Sequence, residues 1–178
     1  KVVEVGDDGS WQEVSPSRVG RLVINGPTVF PGYVTRRDDD GYVLDGRGAL
    51  RDGWLDTGDL ARVDDDGFVY LAGRSKDLII RGGHNIDPAV IEDALLAHPD
   101  VTAAAAVARP DAHSGEVPVG FVTLRPGATV RGDELTAFVG ERISERAATP
   151  KTVTIIDAIP VTDVGKPYKV ALRATAAE

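Results

Sequence analysis

Short apolar runs broken by turns fill the first fifty residues. Runs at 2–5, 20–24 and 42–44 are separated by Gly6-Asp7-Asp8-Gly9, Asn25-Gly26-Pro27, Pro31-Gly32 and Asp38-Asp39-Asp40-Gly41. Runs this short, spaced by Gly, Pro, Asn and Asp, predict antiparallel strands or a small barrel. The acidic turns read as solvated hairpin tips. Residues 54–72 predict a hairpin, with arms at 54–63 and 68–72. Its turn is Asp64-Asp65-Asp66-Gly67, where the glycine supplies a positive φ. Gly58 lies inside the first arm and marks a bulge or the close approach of a backbone or ligand.

The pattern changes over 73–88. A polar turn, Arg74-Ser75-Lys76-Asp77, leads into the apolar run Leu78-Ile79-Ile80, then Arg81-Gly82-Gly83. Leu78-Ile79-Ile80 reads as a short buried strand, and Gly82-Gly83 as an ordinary strand-to-helix loop or a place where the backbone comes close to something. Asp87 is placed to cap a helix that has Pro88 at its first position. Val90, Ile91, Ala94 and Leu95 form the expected buried stripe, and His98-Pro99 ends the helix. An Ala/Val run at 101–108 predicts a strand buried on both faces. A polar loop at 111–116 and a second strand at 117–124 follow. Leu135, Phe138, Val139 and Ile143 predict one face of another helix, with Gly132 weakening its first turn. Pro150 precedes a third β run at 152–156. Strands alternating with helices over about a hundred residues imply a small α+β sandwich. The fold class is therefore α+β: a β-rich subdomain over 1–74, then an α+β domain over 75–178 with a short sheet and packed helices.

Composition narrows the function. The 178 residues carry 42% hydrophobic side chains, a net charge of −8 and no cysteine. That balance argues against binding a nucleic-acid backbone, which needs a basic surface, but leaves room for a small anionic ligand. Disulfides, thiolate metal sites and cysteine nucleophiles are excluded. No apolar run approaches the length of a bilayer span, and the first residues lack a signal-peptide pattern. The chain begins in what reads as a strand, so it is expected to be part of something longer.

Four places carry candidate chemistry. Asp56 and Asp59 flank Thr57-Gly58 and are either polar strand positions or ligands for a metal or a sugar hydroxyl. Lys166 follows Gly165 in the polar stretch Ile159-Pro160-Val161-Thr162-Asp163-Val164-Gly165-Lys166. There it is either a solvated turn residue or an available point charge for a phosphate or carboxylate. His113 stands alone in a polar loop and reads as solvated. Gly82 and Gly83 complete the set.

In combination these motifs are more specific. Trp54-Leu55-Asp56-Thr57-Gly58-Asp59-Leu60, Gly73-Arg74-Ser75-Lys76-Asp77, Arg81-Gly82-Gly83-His84-Asn85-Ile86, Ile91-Glu92 and Gly165-Lys166 occur in register over nearly the whole chain. Gly26-Pro27-x-Val29-x-Pro31-Gly32-Tyr33 stands upstream. In order and spacing the set resembles the adenylate-forming superfamily, which includes acyl-CoA synthetases, luciferases and the adenylation domains of peptide synthetases. Gly73-Arg74-Ser75-Lys76-Asp77 and Ala171-Leu172-Arg173 most resemble the bacterial fatty-acyl-CoA synthetases.

The resemblance implies an acid–thiol ligase. ATP, with Mg2+, and a carboxylic acid form an acyl-adenylate and pyrophosphate, and CoA then takes the acyl group after the small domain rotates. Asp59 and Arg74 match residues that contact the nucleotide ribose, and Lys76 matches the hinge. Gly82 and Gly83 match the glycines beside the pantetheine tunnel, and Lys166 matches the lysine that serves adenylation. No residue matches a metal ligand. Pro167 stands where the family usually carries an aliphatic residue, and a proline there fixes φ and removes a donor. The Ser/Thr/Gly-rich phosphate loop and the acyl pocket are not in this sequence, so the chain alone is expected to be inactive. The resemblance implies a cytoplasmic enzyme. An adenylation domain that loads a carrier protein, and a non-catalytic binding module, are the alternatives.

Overall fold

The computed structural model describes residues 1–46 and 48–177. The chain forms two compact units, Lys1–Lys76 and Asp77–Glu178.

The first unit is β throughout. β1 (Val2–Val5), β2 (Trp11–Glu13), β3 (Gly20–Ile24), β6 (Leu50–Arg51), β7 (Trp54–Val63) and β8 (Val69–Arg74) make one antiparallel sheet. β4 (Tyr33–Asp38) and β5 (Gly41–Asp45) form a separate hairpin. The expected antiparallel strands are present, together with β2, β4 and β6, which the turn pattern did not reveal. Val3, Val23 and Ala61 are fully buried. The expected β7–β8 hairpin forms, with the Asp64 carboxylate accepting from the backbone N–H groups of Asp66 and Phe68 at 3.1 and 2.8 Å.

The second unit is a sheet covered on both faces. β9 (Ile79–Arg81), β10 (His84–Ile86), β11 (Val101–Asp111) and β12 (Gly115–Leu124) run antiparallel, and β13 (Val153–Ile155) lies parallel to β12. α1 (Pro88–Leu96) and α2 (Gly132–Gly140) supply one apolar layer, where Ile91, Leu95, Leu135 and Val139 pack with Ala106 and Val122. On the other face Leu172 of α3 (Lys169–Ala176) packs with Ala105, Val107, Val119 and Phe121. Alternate residues of β11 therefore enter different clusters, as expected for an Ala/Val strand buried on both faces. Among the described residues no helix is long and apolar enough to cross a membrane.

Several expectations change. The Asp87 side chain does cap α1, accepting from the Ala89 N–H at 3.0 Å. Val90, however, is 47% exposed, so the buried stripe of α1 is Pro88, Ile91 and Leu95. Ile80 is likewise exposed because it alternates with buried Ile79 on a strand covered on one side only. α2 stops at Gly140, and Ile143 is buried from the turn that follows. The polar loop at 111–116 shortens to a hairpin tip, because the Asp111 carboxylate gathers the His113 and Ser114 N–H groups and the Ser114 hydroxyl. Those donors, the Ser114 backbone N–H foremost, hold the Asp111 carboxyl below the usual carboxylate range. Its contribution to the hairpin is present above the ordinary carboxylate pKa and is lost as pH falls through the lowered one.

Gly132 begins α2 for a packing reason. A Cβ there would stand 2.0 Å from the Val153 carbonyl oxygen. The backbone must shift to accept any side chain. Gly132→Ala is expected to lower stability by about 2–3 kcal/mol through this clash. Urea unfolding checks it, and an unchanged midpoint would show that β13 moves aside freely.

Candidate functional site

In the first unit the candidate residues surround a break in β7. Arg21 of β3 pairs with Leu60, and Val23 with Asp56, so the residues between form a bulge. Gly58 sits in this bulge at φ +74, a conformation that favours glycine. The bulge is held from all sides. Asp56 accepts from the Gly58 N–H at 2.9 Å and from the Arg21 guanidinium at 2.7 Å. The Thr57 hydroxyl donates to the Leu22 carbonyl at 2.9 Å and accepts from the Asp59 N–H at 3.1 Å. The Ser75 N–H and hydroxyl both donate to the Gly58 carbonyl, at 3.0 and 3.1 Å.

Two of the implied nucleotide contacts meet here. Asp59 and Arg74 are direct cross-strand partners of β7 and β8, and Asp59 Oδ1 lies 2.9 Å from Arg74 Nε. Asp59 is 27% exposed, whereas Arg74 is 65% exposed and extends outward. A cleft of about 330 Å³ opens beside them, lined by Arg21, Asp56, Thr57, Arg74, Ser75 and Lys76 among others. It sets cationic side chains beside polar backbone, a chemistry suited to an anionic or polyhydroxyl ligand. Asp59 itself stands just outside the lining. Lys76, exposed, is the last residue of the first unit. β8 ends at Arg74, but Ser75 stays attached to the bulge through its two bonds, which carries the division of the chain past residue 74.

Arg21 and Ser75 escaped the sequence reading. Ser75 stood within a motif, but its two bonds to Gly58 span 17 residues and leave no local trace. The Arg21–Asp56 ion pair spans 35 residues and depends on the β3–β7 register.

The second unit holds the remaining candidates in two places. Gly82 and Gly83 form a two-residue β-hairpin between β9 and β10, with Arg81 opposite His84. Both have positive φ, +55 and +86, which a turn of this type requires at its two central positions. A Cβ on either would meet no atom within 4 Å. Backbone conformation therefore accounts for both glycines, and the strand-to-helix loop of the sequence reading is corrected to a hairpin tip. The Arg81 guanidinium donates to the Ala147 carbonyl at 2.8 Å, and His84 Nδ1 lies 2.8 Å from Glu145. His113 is exposed, as its loop position suggested.

Lys166 is exposed on a closed loop. Val161 and Pro167 form an isolated antiparallel bridge. The Thr162 N–H donates to the Lys166 carbonyl at 2.8 Å and the Tyr168 N–H to the Pro160 carbonyl at 2.7 Å. Neither bond uses an N–H at position 167, so the bridge accommodates the proline without losing a donor. Gly165 takes φ +78 and donates to the Thr162 carbonyl at 2.8 Å. The backbone of Lys166 is thus fixed while its side chain reaches into solvent.

The family of AMP-binding enzyme C-terminal domains matches residues 90–166. Residues 90–166 belong to that family. The chain is 45% identical over 174 residues to marinolic acid–CoA ligase of Pseudoalteromonas sp. (strain SANK 73390), covering 97% of this chain and 26% of that protein. It is 39% identical over 164 residues to feruloyl-CoA synthase of Amycolatopsis sp., covering 92% of this chain and 32% of that one. Among solved structures, ATP-bound MatB from Rhodopseudomonas palustris superposes with a TM-score of 0.80 at 31% identity, covering 98% of this chain and 33% of that one. The chain therefore spans about a quarter to a third of the length of these proteins. The resemblance to the adenylate-forming superfamily is borne out, as is the α+β fold class. The match to this family begins within α1, so the β-rich unit lies outside the matched segment.

Proposed function

We propose that this chain is the C-terminal part of an acid–CoA ligase, with Lys166 acting in adenylation. The observation that carries this reading is the closed loop, which fixes the backbone of Lys166 and leaves its ammonium group exposed. In the first half-reaction a carboxylate oxygen bonds to the α-phosphorus of ATP, and the bond to pyrophosphate breaks. Two anionic groups approach each other, so a positioned cation lowers the barrier as charge builds. In the second half-reaction a thiolate adds to the acyl carbonyl and AMP leaves. Lys166 has no part in that step, and a loop carried on a rotating unit withdraws it. Lys76 is the pivot of that rotation in this reading.

Asp59 and Arg74 hold the ribose, the carboxylate accepting from its hydroxyls. The Gly82-Gly83 tip, narrow for lack of side chains, borders the path of the CoA pantetheine. Mg2+ would enter with ATP. Among the described residues no three His, Cys, Asp or Glu side chains stand together as metal ligands. The acid is a fatty or related carboxylic acid, a reading supported by the Gly73-Arg74-Ser75-Lys76-Asp77 and Ala171-Leu172-Arg173 motifs. A cytoplasmic location accords with it.

The test uses the full-length enzyme with a panel of acids, following pyrophosphate exchange and then thioester formation. CoA is expected to accept the acyl group, and a phosphopantetheinyl carrier protein is not. Transfer to the carrier alone would replace CoA ligation by carrier loading. The isolated 178-residue chain is expected to show no exchange. Exchange by that chain alone would overturn the assignment of phosphate binding to a separate domain.

A further inference from the structure

The motif Ile91-Glu92 has an evident role for only one of its residues. Ile91 is core, but Glu92 points from the middle of α1 into a half-buried position. Its Oε1 accepts from the Ala106 N–H at 2.9 Å and lies 2.8 Å from Lys169 Nζ. The two side chains are 21% and 20% exposed, well below those of the Arg18–Glu4 and Arg131–Asp133 pairs.

Lys169 is the first residue of α3 and stands three positions after Lys166. A cation at a helix N-terminus faces the positive end of the helix dipole and is unfavourable there by itself. The helix does not explain this lysine, but its partner does. α3 also has little else to hold it. It is eight residues long, has no side-chain N-cap, and buries only Leu172 among its side chains. A second polar tie is Arg173, one turn further along the same face, which lies 2.6 Å from Asp77. The 160–168 loop is closed by its own backbone bonds and runs directly into the start of α3. Whatever fixes residue 169 also fixes the direction in which Lys166 projects.

We propose that Glu92 is a positioning residue for Lys166, acting through the ion pair with Lys169. The inference rests on the adenylation role given to Lys166 above. Glu92 is locked to β11 by the Ala106 N–H, Lys169 is locked to Glu92, and the loop inherits the orientation of Lys169. The pair acts within one unit, so its effect belongs to the half-reaction that uses Lys166.

The test uses Lys169→Met, Lys169→Arg, Glu92→Gln and Lys166→Ala in the full-length enzyme. Each half-reaction is measured separately, with acyl-adenylate supplied for the second. Misplacing a reacting group by about 1 Å costs up to about 10²-fold. Lys169→Met is accordingly expected to lower kcat for adenylation by about tenfold to a hundredfold, with KM for ATP and thioester formation unchanged. Lys169→Arg keeps the charge and is expected to recover most of the rate. Glu92→Gln, which keeps the acceptor for Ala106 but loses the charge, is expected to fall between. Parent rates in Lys169→Met, or equal loss in both half-reactions, would overturn the positioning role. So would failure of Lys169→Arg to recover adenylation in a folded enzyme. If Lys169→Met does not fold, Glu92→Gln decides: selective loss of adenylation supports the role, and parent rates reject it. Lys166→Ala separates the two claims. If it retains adenylation, the underlying reading fails. If it abolishes adenylation while the Lys169 and Glu92 variants behave as parent, only the positioning inference fails.

Discussion

Lys166→Ala in the full-length enzyme is expected to slow adenylation by about 10³-fold, the scale at which a cation or oxyanion donor aimed at developing charge contributes. The proposed reaction joins a carboxylate to a phosphate, and the ammonium group would offset their repulsion where it is greatest. The substitution isolates that effect. The backbone N–H and carbonyl of residue 166 bond to Thr162, and an alanine retains both bonds. The side chain is exposed, so its loss leaves no cavity. Thioester formation from supplied acyl-adenylate is expected to continue at the parent rate. Lys166→Arg is not expected to restore adenylation, because a planar guanidinium does not reproduce a compact ammonium charge. Separate stopped assays of pyrophosphate release and thioester formation check these outcomes. Equal loss in both would remove the lysine from its proposed role.

Asp59→Ala is expected to raise KM for ATP by about 10- to 100-fold, since hydrogen bonds to a charged acceptor contribute about 1.5–3 kcal/mol. KM for the acid should stay as it is. The Arg74 pair uses Oδ1, and its arginine is 65% exposed. An exposed pair of this kind contributes about 0–1 kcal/mol to stability, so the melting temperature should barely move. Nucleotide titration with a separate thermal melt distinguishes the two effects. A large drop in melting temperature with unchanged KM would make Asp59 a structural residue of the bulge.

Chemistry that closes within a few residues was legible in the chain. The Asp64–Gly67 turn, the Asp87 cap and the glycine bulge at 58 each depend on local backbone geometry or a neighbouring side chain. The Ala/Val strand over 101–108 announced burial on both faces by composition alone. The order of motifs carried the family. Helix phasing was less secure. Val90 and Ile91 are both apolar neighbours, yet only Ile91 meets the sheet. Ile80 fits an apolar run as well as Ile79 does, but a one-sided strand exposes every second residue.

The candidate site divides along the same line. The sequence by itself determined which residues carry charge or conformational freedom: Asp59, Arg74, Lys76, Gly82, Gly83 and Lys166. Only the tertiary structure decided which of them meet, and what holds them. The Asp59–Arg74 pair exists because the β7–β8 register sets them opposite each other. The Arg21–Asp56 pair, 35 residues apart, and the Arg173–Asp77 pair, 96 residues apart, depend on sheet pairing and helix docking. Gly132 reads as a weak helix start until Val153 is brought against it. A turn is chosen by the torsions of two or three residues. A contact across the fold is chosen by the packing of every element between its partners, and no short stretch of sequence contains that information.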